Sequence, residues 1–346
     1  MGDPPAPLRV VRAVAPIRIC DIGGWTDTWF ARHGKVFNIG VSPDVEVEIN
    51  LYEAGAVRDR VVLEAESYGD RYGFELGSPP GRHPLLEAAV EELGLPDGTS
   101  AEISIASAVP PGCSTGTSAA VMVALVGGLD ALTPGRMSRH EIASTAHGIE
   151  LGLGLESGVQ DQLCAAYGGV NFIEIQAYPE STVSQLPMTE ATWQQLEQRL
   201  LLVFLGRAHV SSEVHEKVIA LFEREGEQSS VLDELRGAAE DAREAVRRSD
   251  LEALGQAMRR NTDAQRRLHP DLVCHEAQSV IDVAMAGQAS GWKVNGAGGE
   301  GGSVTLLCAP GPRAKEELVQ GVQRVCPSAQ VIPIAISRHG LRLWSA

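Results

Sequence analysis

The sequence predicts an α+β protein of two lobes, and three observations carry that expectation. Strand-like alternation dominates the first third of the chain, helical spacing takes over from about residue 117, and a β-α-β run closes it. With 346 residues the chain can hold two domains or one large α/β unit, and either buries a substantial core.

The elements follow in order. Residues 45–51 (VEVEINL) and 101–105 (AEISI) alternate apolar and polar side chains, as half-buried antiparallel strands do. Between them, residues 84–93 (PLLEAAVEEL) have helical spacing. Helices are expected at 117–132, 139–152, 211–225, 230–248, 250–264 and 271–289, several opening on Ser, Asp or Pro. The closing run is a strand at 303–308 (SVTLLC), a helix at 313–325 and a strand at 330–336 (QVIPIAI). Around Pro179 and Pro187 the apolar pattern lapses, which places the seam near 176–200 and the lobes at 1–185 and 186–346.

Charge narrows the function. Twenty-nine Lys plus Arg against 45 Asp plus Glu give a net charge of −16 and a pI near 5.0, so general nucleic-acid binding and adsorption to anionic membranes are disfavoured. No basic patch compensates. The apolar stretch 117–132 is short and interrupted by glycine, which makes it a buried helix rather than a membrane span. The N-terminal MGDPPAPLRVV has no signal pattern, and the six cysteines show no C-x-x-C spacing. Those two features predict a cytoplasmic protein with neither zinc ribbon nor disulfide framework. The four lysines are Lys35, Lys217, Lys293 and Lys315, so no G-x-x-x-x-G-K-[ST] loop exists.

Three glycine-rich segments carry the chemistry. In 109–125 (VPPGCSTGTSAAVMVAL), small residues lead straight into the apolar helix. Backbone N–H groups at a helix start form an anion site, reinforced by the helix dipole. A capped turn before a core helix would read the same way. In 15–41, Gly23-Gly24 precede Trp25, Thr26 and Asp27, a carboxylate on a glycine turn near Arg18 suited to hydrogen-bonding hydroxyl groups, or else to an Asx turn. The third segment, 293–308, contains G-x-G-x-x-G at Gly296, Gly298 and Gly301, yet a strand follows where a dinucleotide site needs a helix. A hairpin supporting another loop fits better. A fourth element, 146–175, holds Glu150 and Asp161. Such carboxylates are ordinarily solvated, but beside a phosphate loop an enzyme needs one for a metal and one near the nucleophile.

Together these segments resemble the GHMP kinase superfamily. Residues 110–120 (PPGCSTGTSAA) match its P-x-x-x-G-L-G-S-S-A-A motif, with Ser114 where glycine is usual, Thr115 where leucine is usual and Thr117 for the first serine. Residues 296–302 resemble its third motif, with Glu300 for a glycine. GGWTDT, HGKVFNIGV and GVQDQLCAAYGGVNFIE are similar to the sugar-kinase branch that contains L-fucokinase and D-glycero-D-manno-heptose 7-phosphate kinase. The resemblance implies a ribosomal-protein-S5-like N-terminal lobe that binds ATP and a ferredoxin-like C-terminal lobe. It implies an ATP cradle of Pro111, Gly112, Cys113, Ser114, Thr115, Gly116, Thr117 and Ser118, and Mg²⁺ on Ser118 and Glu150. Asp161 is then the catalytic aspartate, and Arg18 stands where several members have lysine. Asp27 would bind sugar hydroxyls, with Thr26, Trp25, Gly24, His33, Gly298 and Gly299 as further substrate contacts.

The implied reaction is phosphorylation of the C1 hydroxyl of a sugar or sugar phosphate, such as a heptose 7-phosphate or L-fucose. A phosphate already on the sugar would call for a second cationic site, for which Arg12, Arg32, Lys35 and Arg207 are available, and Arg207 with His209 could reach the sugar from an interlobe loop. Two rival readings stand beside it: an ATP-dependent decarboxylase of the diphosphomevalonate type, which shares the fold, and a non-enzymatic sugar-responsive binding protein. The GGWTD segment counts against the first, and joint retention of Ser118, Glu150 and Asp161 against the second.

Overall fold

The computed structural model describes residues 6–345 apart from 67–68, 80, 134–135, 156, 209–212 and 226–228. Its larger sheet is built on two long strands, β1 (Arg9–Ile22) and β2 (Gly34–Glu53), which pair antiparallel along their lengths. Next to β2 lies β5 (Thr99–Ser107), then β3 (Val61–Ala65) parallel to it and β4 (Asp70–Phe74) at the edge. The first half of β2 also pairs with β6 (Val170–Ala177), and β6 with β7 (Glu180–Gln185).

Four helices go with this sheet: α1 (Pro84–Leu93), α2 (Thr117–Asp130), α3 (Arg139–Gly152) and α4 (Gln160–Tyr167). Apolar almost all round, α2 is buried from Ala119 onward except at Val121, as a helix without a polar face must be. Ser138 and Glu141 close a reciprocal cap at the start of α3, so Glu150 sits in its last turns at a set height.

The second sheet contains β8 (Leu200–Phe204), β9 (Gly291–Val294), β10 (Ser303–Leu307) and β11 (Gln330–Ile332) in the antiparallel order β11-β8-β10-β9. Helices α6 (Glu213–Glu225), α7 (Ser230–Arg247), α8 (Leu251–Leu268) and α9 (His275–Ala286) separate β8 from β9, and α10 (Ala314–Val325) separates β10 from β11. That order, with a helical crossover in each half, is the ferredoxin-like topology. Leu201, Val203, Val304 and Leu306 pack here against Ala277, Ile281, Leu318 and Val322. The last strand, β12 (Arg342–Ser345), returns to the first sheet beside β1.

Two differences from the sequence expectation have local causes. A helix, α5 (Glu190–Arg199), occupies the polar stretch near the seam, capped by Thr189 and burying only Thr192 and Leu196. The strand expected at 330–336 ends at Ile332, because Pro333 has no N–H for the ladder. No described helix is long and apolar enough to cross a membrane.

A separate apolar cluster joins the two halves. Trp25, Phe30 and Ala31, in the turn after β1, pack on Val218, Phe222, Leu235 and Leu268 of α6–α8, with Phe30 and Phe222 stacked at 5.1 Å. Buried Arg236 of α7 donates to the carbonyls of Ala31 (3.1 Å) and His33 (3.0 Å). The glycine turn is therefore fixed against the C-terminal helices.

Candidate active site

Strand β1, the N-termini of α2 and α4, the end of α3 and the β9–β10 hairpin meet around a cavity of about 330 Å³. Its centre is an ion pair. Arg18 Nε and Nη2 donate to the two carboxylate oxygens of Asp161 at 2.8 and 3.1 Å, while Nη1 donates to the Ser114 carbonyl. The Arg18 backbone N–H donates to the Thr115 carbonyl at 2.9 Å. One residue thus fastens the 112–118 loop to Asp161. Burial works to lower the Arg18 pKa, but Asp161 and Asp21 outweigh it and raise the group further above its ordinary range. Arg18 stays cationic at any working pH.

Gly116 caps α2 with φ +65°, and a Cβ there would lie 3.0 Å from the Asp161 carboxyl carbon. Glycine brings the helix N-terminus and its outward N–H groups against Asp161. Ser114 takes φ 59°, which explains why glycine is the expected residue at that place.

On the opposite wall, buried Glu150 accepts from Ser157 Oγ and Gln162 Nε2, both at 2.7 Å and both through Oε2. Burial, helped by the charge on Asp161, pushes its pKa up to about 7. Ser118 faces the same cavity. A hydroxyl and a desolvated carboxylate suit Mg²⁺, a hard cation that keeps waters and takes its remaining ligands from phosphate. These residues fit the ion, and a cation beside Glu150 would relieve the desolvation that lifts its pKa.

Asp27 is also buried and pushed up to about 7, again by desolvation. Its Oδ2 accepts from the Gln160 N–H at 3.1 Å, and a Cβ on Gly158 would stand 2.0 Å from that oxygen. The close approach of the 158–160 backbone needs glycine.

Both carboxyls keep protons that the unfolded chain releases near pH 4. Between about pH 4 and 7 the folded state binds more protons, so the stability of the ligand-free protein falls as pH rises through that window. Scanning calorimetry should show a lower Tm at pH 8 than at pH 5.5. A magnesium–nucleotide complex should raise Tm more at pH 8, where Glu150 is ionised, and Glu150→Gln should remove that pH dependence. An equal magnesium effect at both pH values in the unmodified protein would exclude Glu150 as a ligand.

Two residues without a role in the sequence reading complete the floor. Asp21 and Lys293 are each 1% exposed and pair at 3.3 Å, and Asp21 also accepts from the Gly296 N–H at 3.0 Å. Asn295 Oδ1 accepts from the Cys20 N–H at 3.1 Å. The β9–β10 hairpin is thereby tied to β1 beside the cavity. The signal in the sequence is the scarcity of lysine, since Lys293 is one of only four.

The other expected site residues divide. Gly116 and Ser118 line the main cavity. Pro111, Gly112, Thr117 and again Ser118 line an adjoining, largely apolar pocket of about 340 Å³ with Leu86 and Val121. Cys113 and Thr115 are buried, and the Cys113 carbonyl accepts from Ser303 Oγ at 2.6 Å. Trp25 and Asp27 reach the cavity. Thr26 instead shapes the turn, donating to the Gly23 carbonyl at 2.7 Å and accepting from the Lys35 N–H at 3.1 Å, and the Gly24 N–H donates to the Asp21 carbonyl at 3.3 Å.

His33 is exposed and off the cavity wall, because its carbonyl rather than its ring is held by Arg236. Gly298 and Gly299 pack on the 270–273 turn, where the Gly299 N–H donates to the Leu272 carbonyl at 3.0 Å, and Gly296 and Ala297 form the wall instead. His209 lies outside the described residues.

Residues 84–169 match the family model for the GHMP kinases N terminal domain, a span that covers α1 to α4 and therefore the loop, Glu150 and Asp161. The chain carries a GHMP kinase N-terminal domain. A bifunctional fucokinase/GDP-fucose pyrophosphorylase of Arabidopsis thaliana is 27% identical over 89% of this chain, which spans about a third (31%) of that relative's length. The D-glycero-alpha-D-manno-heptose 7-phosphate kinase of Campylobacter jejuni is 23% identical, with 97% of this chain and 99% of that one covered. Among solved structures, Lactococcus lactis galactokinase in complex with galactose superposes with a TM-score of 0.74 at 15% identity, covering 96% and 95% of the two chains. The fold is that of the GHMP kinases, phosphotransferases that use ATP, generally with Mg²⁺.

Proposed function

We propose that this protein is an ATP-dependent sugar kinase that transfers the γ-phosphoryl group to an anomeric C1 hydroxyl. The observation that carries the reading is the Arg18–Asp161 pair, set between a helix N-terminus and the buried Asp27 in one cavity. Residues 1–185 and 186–346 are read as the two lobes, with 342–345 returning to the first sheet.

The 112–118 loop cradles the triphosphate through backbone N–H groups, and the adjoining apolar pocket takes the base. Asp27 accepts sugar hydroxyls and turns the ring so that the attacking hydroxyl meets Asp161. Asp161 takes that hydroxyl's proton as the new O–P bond forms and the bond from the γ-phosphorus to the bridging oxygen breaks, with ADP as the leaving group. Arg18 holds the carboxylate in line and stabilises charge on the transferring group. Magnesium on Ser118 and Glu150 would supply further neutralisation of the phosphate oxygens.

A decarboxylase acting on a diphosphorylated substrate would need cations where this wall carries Asp21, Asp27, Glu150 and Asp161 beside a single guanidinium. The test is a coupled ADP-release screen over free hexoses, L-fucose, heptoses and heptose 7-phosphate, with ³¹P NMR of the product. Phosphate on C1 is the expected result. Phosphate on another carbon would refute the regiochemistry, and no sugar-dependent ADP release would refute the kinase.

A further inference from the structure

We propose that the acceptor is an uncharged sugar rather than a sugar phosphate, selected by a cavity wall made of hydrogen-bond acceptors. This rests on the kinase reading above and narrows its substrate class.

The wall is unbalanced in a specific way. Asp27, Glu150, Asp161 and Asp21 present carboxylates to the cavity, and Arg18 directs its N–H groups to Asp161 and Ser114. Two more acceptors flank Asp161. The side-chain oxygens of Gln160 and Gln162 are buried without a hydrogen-bond partner, on residues only 5% and 1% exposed that both line the cavity. Orphaned buried acceptors are costly and call for a donor from the ligand.

Sugar hydroxyls donate as readily as they accept, so a polyol satisfies Gln160 and Asp27 together. A phosphomonoester carries about −1.5 to −2 at neutral pH and offers oxygen acceptors. Placed on this wall it meets four carboxylates, and the single lining guanidinium is already bonded to one of them.

The cations that could have formed a second phosphate site are engaged elsewhere. Arg12 pairs with Glu48 at 2.7 Å, Lys35 pairs with Glu240, and Arg207 lies between Glu276 (3.6 Å) and Glu300 (3.5 Å). Arg32 is exposed and does not line the cavity. Trp25, Leu155 and Ala297 complete the wall with apolar surface that fits the C–H face of a sugar ring.

The discriminating experiment uses matched pairs with the unmodified protein and Mg-ATP: D-glycero-D-manno-heptose against its 7-phosphate, and D-mannose against its 6-phosphate. The neutral member should have a kcat/KM at least about tenfold higher in whichever pair turns over. Equal or better turnover of the phosphorylated member overturns the inference and leaves the kinase standing. No ADP release from these pairs or from L-fucose overturns both.

Gln160→Met, of similar volume, should raise the sugar KM about tenfold while leaving the KM for ATP unchanged, with thermal melting as the folding control. An unchanged sugar KM in a folded variant would remove Gln160 from the recognition. Gln160→Lys, which adds a cation to the same wall, should shift the preference toward the phosphorylated member of each pair.

Discussion

Asp161→Asn should lose about 10³-fold in kcat, within the range for removal of a positioned general base, with the dissociation constants of nucleotide and sugar changed only a few-fold. Asparagine has the same outline and can still accept from one arm of Arg18 through its amide oxygen. It cannot take a proton from the acceptor hydroxyl. The amide nitrogen would face Arg18 Nε or Nη2, which are now bonded to Asp161 at 2.8 and 3.1 Å, so one arm of a buried guanidinium loses its partner. A lower Tm is therefore expected alongside the lost turnover. Calorimetric titration with a non-hydrolysable nucleotide and with sugar separates the two effects: binding persists while single-turnover transfer fails. Turnover within tenfold of the unmodified protein would exclude Asp161 as the base.

What the sequence disclosed follows how local each signal is. Helix α1 falls where spacing and Pro84 place it, because its apolar side recurs within ten residues. The glycine-rich start of α2 was legible for the same reason: loop, cap and apolar run adjoin in the chain. The G-x-G-x-x-G segment does join two antiparallel strands, β9 and β10, and Ser303 at its end holds the 112–118 loop through the Cys113 carbonyl. Helix α5 escaped because it buries so few residues that no stripe repeats. The Asp21–Lys293 pair escaped for a different reason. Its members come from distant strands, and in sequence a buried ion pair is indistinguishable from two solvated charges. His33 shows the converse error, since nearness in sequence to Asp27 placed a ring in a pocket that the fold gives only to its neighbours.

Arg18→Lys tests whether charge or geometry matters most at the centre of the site. The guanidinium makes three directed side-chain contacts, two to Asp161 and one to the Ser114 carbonyl, from a position 5% exposed. An ammonium on a flexible stem supplies charge without the planar fork. It can reach Asp161 but leaves either the second carboxylate oxygen or the Ser114 carbonyl without its donor. The expected outcome is a kcat about 10²-fold lower, with a KM for ATP several-fold higher because the 112–118 loop loses its tie to Asp161. Arg18→Met removes the charge as well and should fall at least a further tenfold. Guanidinium added to a folded Arg18→Ala variant should restore part of kcat but little of the ATP affinity, since a free ion can neutralise charge yet cannot anchor the loop to β1. Equal losses in the Lys and Met variants would assign Arg18 to holding the loop alone. Charge stabilisation of the transferring phosphoryl group would then fall to the α2 N-terminus and to a magnesium ion that Ser118 and Glu150 would hold.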